Sequence, residues 1–167
     1  MKNDTGKRNA WIQLDISVWS ATEFFEGLSR IYPEVERLAE NTDDDADYQK
    51  YKELRTFQRA LWIALIIAIG RLFDTFERSD KKVISLKRTG FFVENPEIKK
   101  RIDVISGDSI ISRIIQTRNN YTAHLNQNEG DVISISEVCN SNIGKLLSEV
   151  EILVAEFSAY QKNEKAI

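Results

Sequence analysis

Apolar residues recur at helical spacing along most of this chain. Leu14, Val18, Ala21, Phe25 and Leu28 step by three and four, which predicts a helix over residues 12–40. Pro33 falls inside that pattern and predicts either a kink or a second helix starting near Tyr32. The stretch ENTDDDADY (40–48) is a polar, acidic connection. Its aspartates lack the glycine and the terminal glutamate of a calcium loop, so they read as a solvated loop. Residues 46–78 then read as one long helix. Leu54, Phe57, Leu61, Leu65, Ala68, Leu72 and Phe76 form its stripe, widened by Trp62, Ile66, Ile69 and Phe73. Ile63, Ile67 and Gly70 put apolar or small residues on its other side, and a helix that is apolar all round must be covered all round. That points to a second subunit, with Gly70 admitting another backbone.

After this helix the pattern continues in shorter pieces. Ser85 is a candidate cap for a segment running to about Val93. Asn95 followed by Pro96 is a helix start, and Asp108 or Ser109 starts another. QNEGDVISIS (127–136) breaks the pattern and has room for a short strand. Residues 136–163 close with a long helix carrying Ile143, Leu146, Leu147, Val150, Leu153, Val154, Phe157 and Tyr160. The sum is an all-α bundle in one domain over residues 12–163, with 1–11 as a flexible lead.

Composition narrows the function. Two prolines and seven glycines are too few for a many-stranded sandwich. Cys139 is alone, which excludes an internal disulfide and a zinc cluster and fits a reducing cytoplasm. The N-terminus has no apolar core of a signal peptide, and ALWIALIIAIG (60–70) is too short to cross a bilayer, so no membrane role is expected. The net charge of −3 argues mildly against a dedicated nucleic-acid binder, but it hides an asymmetry. Residues 78–101 hold eight cations against three carboxylates, a local +5 that leaves −8 for the rest. Such a run is commonly a solvated face. Alternatively, Lys87, Arg88, Lys99, Lys100 and Arg101 form a patch that draws in phosphate backbones and makes weak RNA contacts.

The chemistry concentrates in RIIQTRNNYTAHL (113–125), which holds the only histidine. At about 100° per residue, with Ile110 at zero, the apolar residues Ile110, Ile111, Ile114, Ile115, Tyr121 and Leu125 centre near about 70°. Arg118 falls at about 80°, in the middle of the face that should be buried, with His124 and Asn119 at its edges. A buried guanidinium needs a carboxylate, a carbonyl, a water-filled groove or an anion. Asp74, which continues the Ile63, Ile67, Gly70 face, is the evident partner for a purely structural ion pair.

Arg118-Asn119-Asn120-Tyr121-Thr122-Ala123-His124 resembles the signature of the HEPN superfamily, small α-helical proteins of prokaryotic toxin–antitoxin and phage-defence systems and of some eukaryotic RNases. The family pattern is an arginine, often followed by a polar residue, with four to six residues before a histidine; this chain has five. ALWIALIIAIGRLFD (60–74), VISL (83–86) and RNNYTAHL (118–125) look like the abortive-infection branch, and the likeness spans residues 12–160. The resemblance implies an antiparallel bundle of four to six helices that dimerises through its motif helices, whose shared cleft cleaves RNA without metal or cofactor. Carried over residue by residue, Arg118, Asn119 and His124 are catalytic, with Asp74 and Tyr121 in support. The implied partners are a second copy, RNA and a cognate antitoxin protein. The chain departs from members silenced by nucleotidylation, which often carry a tyrosine two residues after the histidine; here that position is Asn126. The competing expectation is a non-catalytic helical dimer that binds a protein or nucleotide in a defence system.

Overall fold

Steps of three and four place Leu14, Val18, Ala21, Leu28, Val35 and Leu38 on the buried face of one helix, α1 (Asp4–Ala39), in the computed structural model. The structure describes residues 4–41, 44–74, 84–123 and 132–164. After α1 come α2 (Asp45–Leu72), α3 (Gly90–Glu94), α4 (Pro96–Ser106), α5 (Ser109–Ala123), α6 (Ile135–Cys139) and α7 (Ile143–Glu164). The fold is all-α, and no strand occurs among the described residues, including the described part of the 127–136 break.

Three long helices form the frame. Lys50 pairs with Glu34 (Nζ–Oε1 2.6 Å), and Leu61 sits against Gly27, so α1 and α2 run antiparallel. Thr22 donates to Glu151 (2.7 Å) and Phe25 lies over Gly144, so α1 is antiparallel to α7 as well. Leu14, Val18, Trp62, Leu65, Ile69, Val150, Leu153 and Phe157 belong to the common core. α5 packs on α2, and the short α3 lies beside α4.

Several expectations change against this frame. Residues 4–11, expected as a flexible lead, are the first turns of α1, and Ala10 and Trp11 pack on the core. The helix also continues past Pro33 rather than restarting at Tyr32. Pro33 sits on the exposed side. An interior proline costs about 3 kcal/mol, whereas burying Leu28, Val35 and Leu38 around it contributes roughly 1.5–3 kcal/mol each. The described part of the 46–78 helix stops at Leu72, and Phe76 lies outside the described residues. Its most buried face is Trp62, Leu65, Ile66, Ile69 and Leu72, while Phe57, expected inside, is 64% exposed. The expected closing helix is two helices. Asn140-Ser141-Asn142 separates α6 from α7, and Ser141 Oγ turns back to the Val138 carbonyl (2.7 Å) in place of a helical continuation.

Capping follows the sequence closely. The Asn95 side chain accepts from the amides of Glu97 and Ile98, with Pro96 at the first position of α4. Asp108 Oδ1 accepts from Ile110 N (2.9 Å) at the start of α5. Asp44, from the acidic connection, caps α2 through Ala46 N and Asp47 N. No cluster of potential metal ligands occurs among the described residues, and no described helix is long and apolar enough to cross a membrane.

Candidate functional site

α5 buries Ile111, Ile114 and Thr117, which turns the next residue, Arg118, toward the end of α2. Arg118 and Asp74 meet there: Nη1 donates to Asp74 Oδ2 at 3.0 Å, and the two side chains are only 15% and 17% exposed. The same Nη1 donates to the Gly70 carbonyl at 2.8 Å. This carbonyl belongs to the last turn of α2, where backbone acceptors lack helical partners and the macrodipole favours a cation.

Gly70 serves a different end from the one its sequence position suggests. A Cβ there would lie 2.3 Å from Arg118 Cδ and 3.0 Å from Nε and Nη1. Glycine therefore makes room for the stem and head of Arg118, not for another backbone. Asp74 is held from behind, since Ser85 Oγ donates to its main-chain carbonyl at 2.7 Å and Leu86 N to the Leu72 carbonyl at 2.9 Å. Ser85 is thus a buried tie between the 84–89 turn and the end of α2; the cap of α3 is Thr89.

The other edge of the guanidinium faces outward. Nε and Nη2 both donate to Asn119 Oδ1, at 3.2 and 2.9 Å, and Asn119 is exposed. Arg118 therefore has two unlike edges. One is anchored on a carboxylate and a carbonyl under the surface. The other presents a two-pronged donor to a neutral amide oxygen at the surface, and an anion is the stronger acceptor for such a fork.

Sequence reasoning named Arg118, Asn119 and Asp74, and the fold brings them together. His124 and the side chain of Tyr121 lie outside the described residues. Gly70 and Ser85 were visible in the sequence, but their roles were not, because both depend on which elements meet. Thr117 was missed: buried beside Arg118, its hydroxyl accepts from Ile133 N at 3.0 Å and pins the start of the α6 segment to α5.

The basic run divides. Arg101 is engaged by Glu149 (2.9 Å) and Glu156 (2.7 Å) of α7, and these hydrogen bonds, Glu156 foremost, raise its already high pKa. It joins α4 to α7 and is drawn away from an open phosphate patch. Lys87, Arg88 and Lys99 line one cavity, and Lys100 is exposed on α4. Arg78, Lys81 and Lys82 lie outside the described residues. Cys139 is half-buried, and burial pushes its thiol up to about 11, so it stays protonated and poorly nucleophilic near neutrality.

Comparisons with protein-family models, with curated proteins and with solved structures find no match to this chain.

Proposed function

We propose that this chain is a metal-independent endoribonuclease of toxin or phage-defence type, acting as a homodimer of the HEPN kind. The observation that carries the reading is the two-edged Arg118: its Nη1 side is fixed by Asp74 and Gly70, and its Nε–Nη2 side is turned outward. A phosphate that displaces the Asn119 amide meets a donor fork already oriented by the anchor, at little cost in reorganisation.

RNA carries its own nucleophile, the 2′-hydroxyl. His124, six residues after Arg118, takes that proton as a base suited to neutral pH. The 2′-oxygen forms a bond to phosphorus while the bond to the 5′-oxygen breaks. Arg118 stabilises the charge that builds on the phosphoryl oxygens, and Asn119 orients the strand. The departing 5′-oxygen collects a proton from His124 of the partner subunit, because one chain has a single imidazole. The products are a 2′,3′-cyclic phosphate and a 5′-hydroxyl, and DNA resists because it lacks the attacking group. An antitoxin protein is the partner expected to hold such an activity in check.

One observation favours a second reading, a non-catalytic binding module: the Arg118–Asp74 pair is complete within one chain. The readings part in a growth assay. On the nuclease reading, induced wild-type protein arrests growth, whereas Arg118→Ala and His124→Ala are both tolerated. If wild type slows cells no more than either variant does, the nuclease reading fails.

A further inference from the structure

The seam between α1 and α7 opens outward into a groove of about 470 Å³. The two helices are antiparallel, with Thr22 held to Glu151 at 2.7 Å, so Trp19, Asp15 and Trp11 follow one another opposite Ala155, Ser158 and Lys162. Trp11 and Trp19 stand about 12 Å apart along α1, roughly two turns. Val18 and Val154 close the floor and are themselves buried, so a ligand meets the walls. Those walls are open. Trp19 is 64% exposed, Ala155 and Ala159 are exposed, and Trp11 is half-buried. Ile16 and Ile152, each 51% exposed, lie three residues from Trp19 and Ala155 and extend the apolar surface on either side. The charges are ordered along the seam. Glu151 stands at one end and Asp15 in the middle, while Lys162 stands at the other end, with Arg8 exposed one turn before Trp11. Asp15 makes no ion pair among the described residues, and Glu151 gives only Oε1 to Thr22.

We propose that this groove takes one amphipathic α-helix of a partner protein, basic over its first two turns. A straight seam between two packed helices is the shape a third helix fills, with apolar side chains spaced three and four apart as its anchors. Those anchors sit over Ala155 and Ala159 between the two indoles, and tryptophan is among the side chains that carry most of the energy of protein contacts. Charge complementarity decides the rest. Asp15 and Glu151 accept from the lysines or arginines of the partner's first turns, and the positive end of its dipole lies over the same carboxylates. Lys162 meets the unpaired carbonyls of its last turn. The same carboxylates oppose an anionic lipid surface, and a second copy laid across the seam on a two-fold axis brings Asp15 against Asp15. The proposal does not depend on the nuclease reading, because Arg118 and Asp74 take no part in it.

The test is fluorescence anisotropy of a labelled synthetic helix of about 14 residues, long enough for the seam. The probe carries leucines at i, i+4, i+7 and i+11, lysines flanking them in the first two turns and uncharged residues after; its counterpart has glutamate at every lysine. The whole protein should bind the lysine helix at least about tenfold more tightly than the glutamate helix. Trp19→Ala and Asp15→Lys should each weaken that binding about tenfold or more. Both positions are exposed on α1, so the helical circular dichroism should be unchanged. Glu53→Lys, the same kind of charge reversal on α2, should leave binding as it is, and so should Arg118→Ala. The proposal is overturned if the lysine helix does not bind, if the glutamate helix binds as tightly, or if Trp19→Ala and Asp15→Lys bind like wild type. It is equally overturned if Glu53→Lys weakens binding as much as Asp15→Lys, if Trp19→Ala lowers the sedimentation coefficient of the free protein to that of a smaller assembly, which would assign the groove to a second copy, or if phosphatidylglycerol vesicles displace the helix.

Discussion

Arg118 is the residue on which the functional reading turns, and Gly70 is the residue that permits it. Adding a methyl group at Gly70 helps the helix by about 1 kcal/mol in propensity. It also places a carbon 2.3 Å from Arg118 Cδ, which must then move. A displacement of about 1 Å at a positioned group lowers catalysis by roughly a hundredfold. Gly70→Ala should therefore keep its helical circular dichroism and lose RNA cleavage by about that factor; full activity in this variant would show that the position of Arg118 is irrelevant. The Arg118–Asp74 pairing was legible in the sequence, because a charge on each of two apolar faces leaves few ways to satisfy both. The role of Gly70 was not, since spacing cannot say whether the neighbour is a backbone or a side chain.

Among the elements, legibility followed the locality of the signal. Asn95-Pro96 and Asp108 started helices where the sequence predicts, because a cap is decided by three or four consecutive residues. The α6–α7 boundary was hidden by apolar residues that keep helical spacing across it. The start of α6 carries a local signal of its own, a capping box: Ser134 Oγ accepts from Glu137 N at 3.1 Å, and Glu137 accepts from Ser134 N at 2.9 Å. Glu137 also pairs with Arg113 of α5, and this contact, with the Ser134 bonds, holds its carboxyl at about 2, well below the usual carboxylate range. A carboxyl lowered on folding adds stability that is full above its unfolded pKa of about 4.5 and lost as pH falls toward about 2. Amide exchange in α6 should accordingly quicken as pH drops through that window, beyond the intrinsic rate change. Glu137→Gln should flatten the dependence; an unchanged profile in the variant would remove the carboxylate from the account.

At the scale of the whole molecule, α1 runs antiparallel to both α2 and α7, and α2 keeps two large apolar side chains exposed among the described residues. Phe57 is 64% and Ile67 42% exposed, on the same helix whose end carries Gly70 and the Arg118 anchor. Ile67, on the Ile63, Ile67, Gly70 face, is the exposed α2 side chain that the homodimer proposed above would cover. Sedimentation velocity should give a dimer for wild type and a monomer for Ile67→Glu. A monomeric wild type, or a variant that still dimerises, would detach this face from assembly. The central claim is cleavage of RNA by Arg118 and His124 without metal, and end-labelled RNA incubated with purified protein in excess chelator tests it most directly. Wild type should leave 2′,3′-cyclic phosphate and 5′-hydroxyl ends and spare the matching DNA, while Arg118→Ala and His124→Ala leave the RNA whole. Intact RNA with wild type, or equal cutting by the variants, would contradict it.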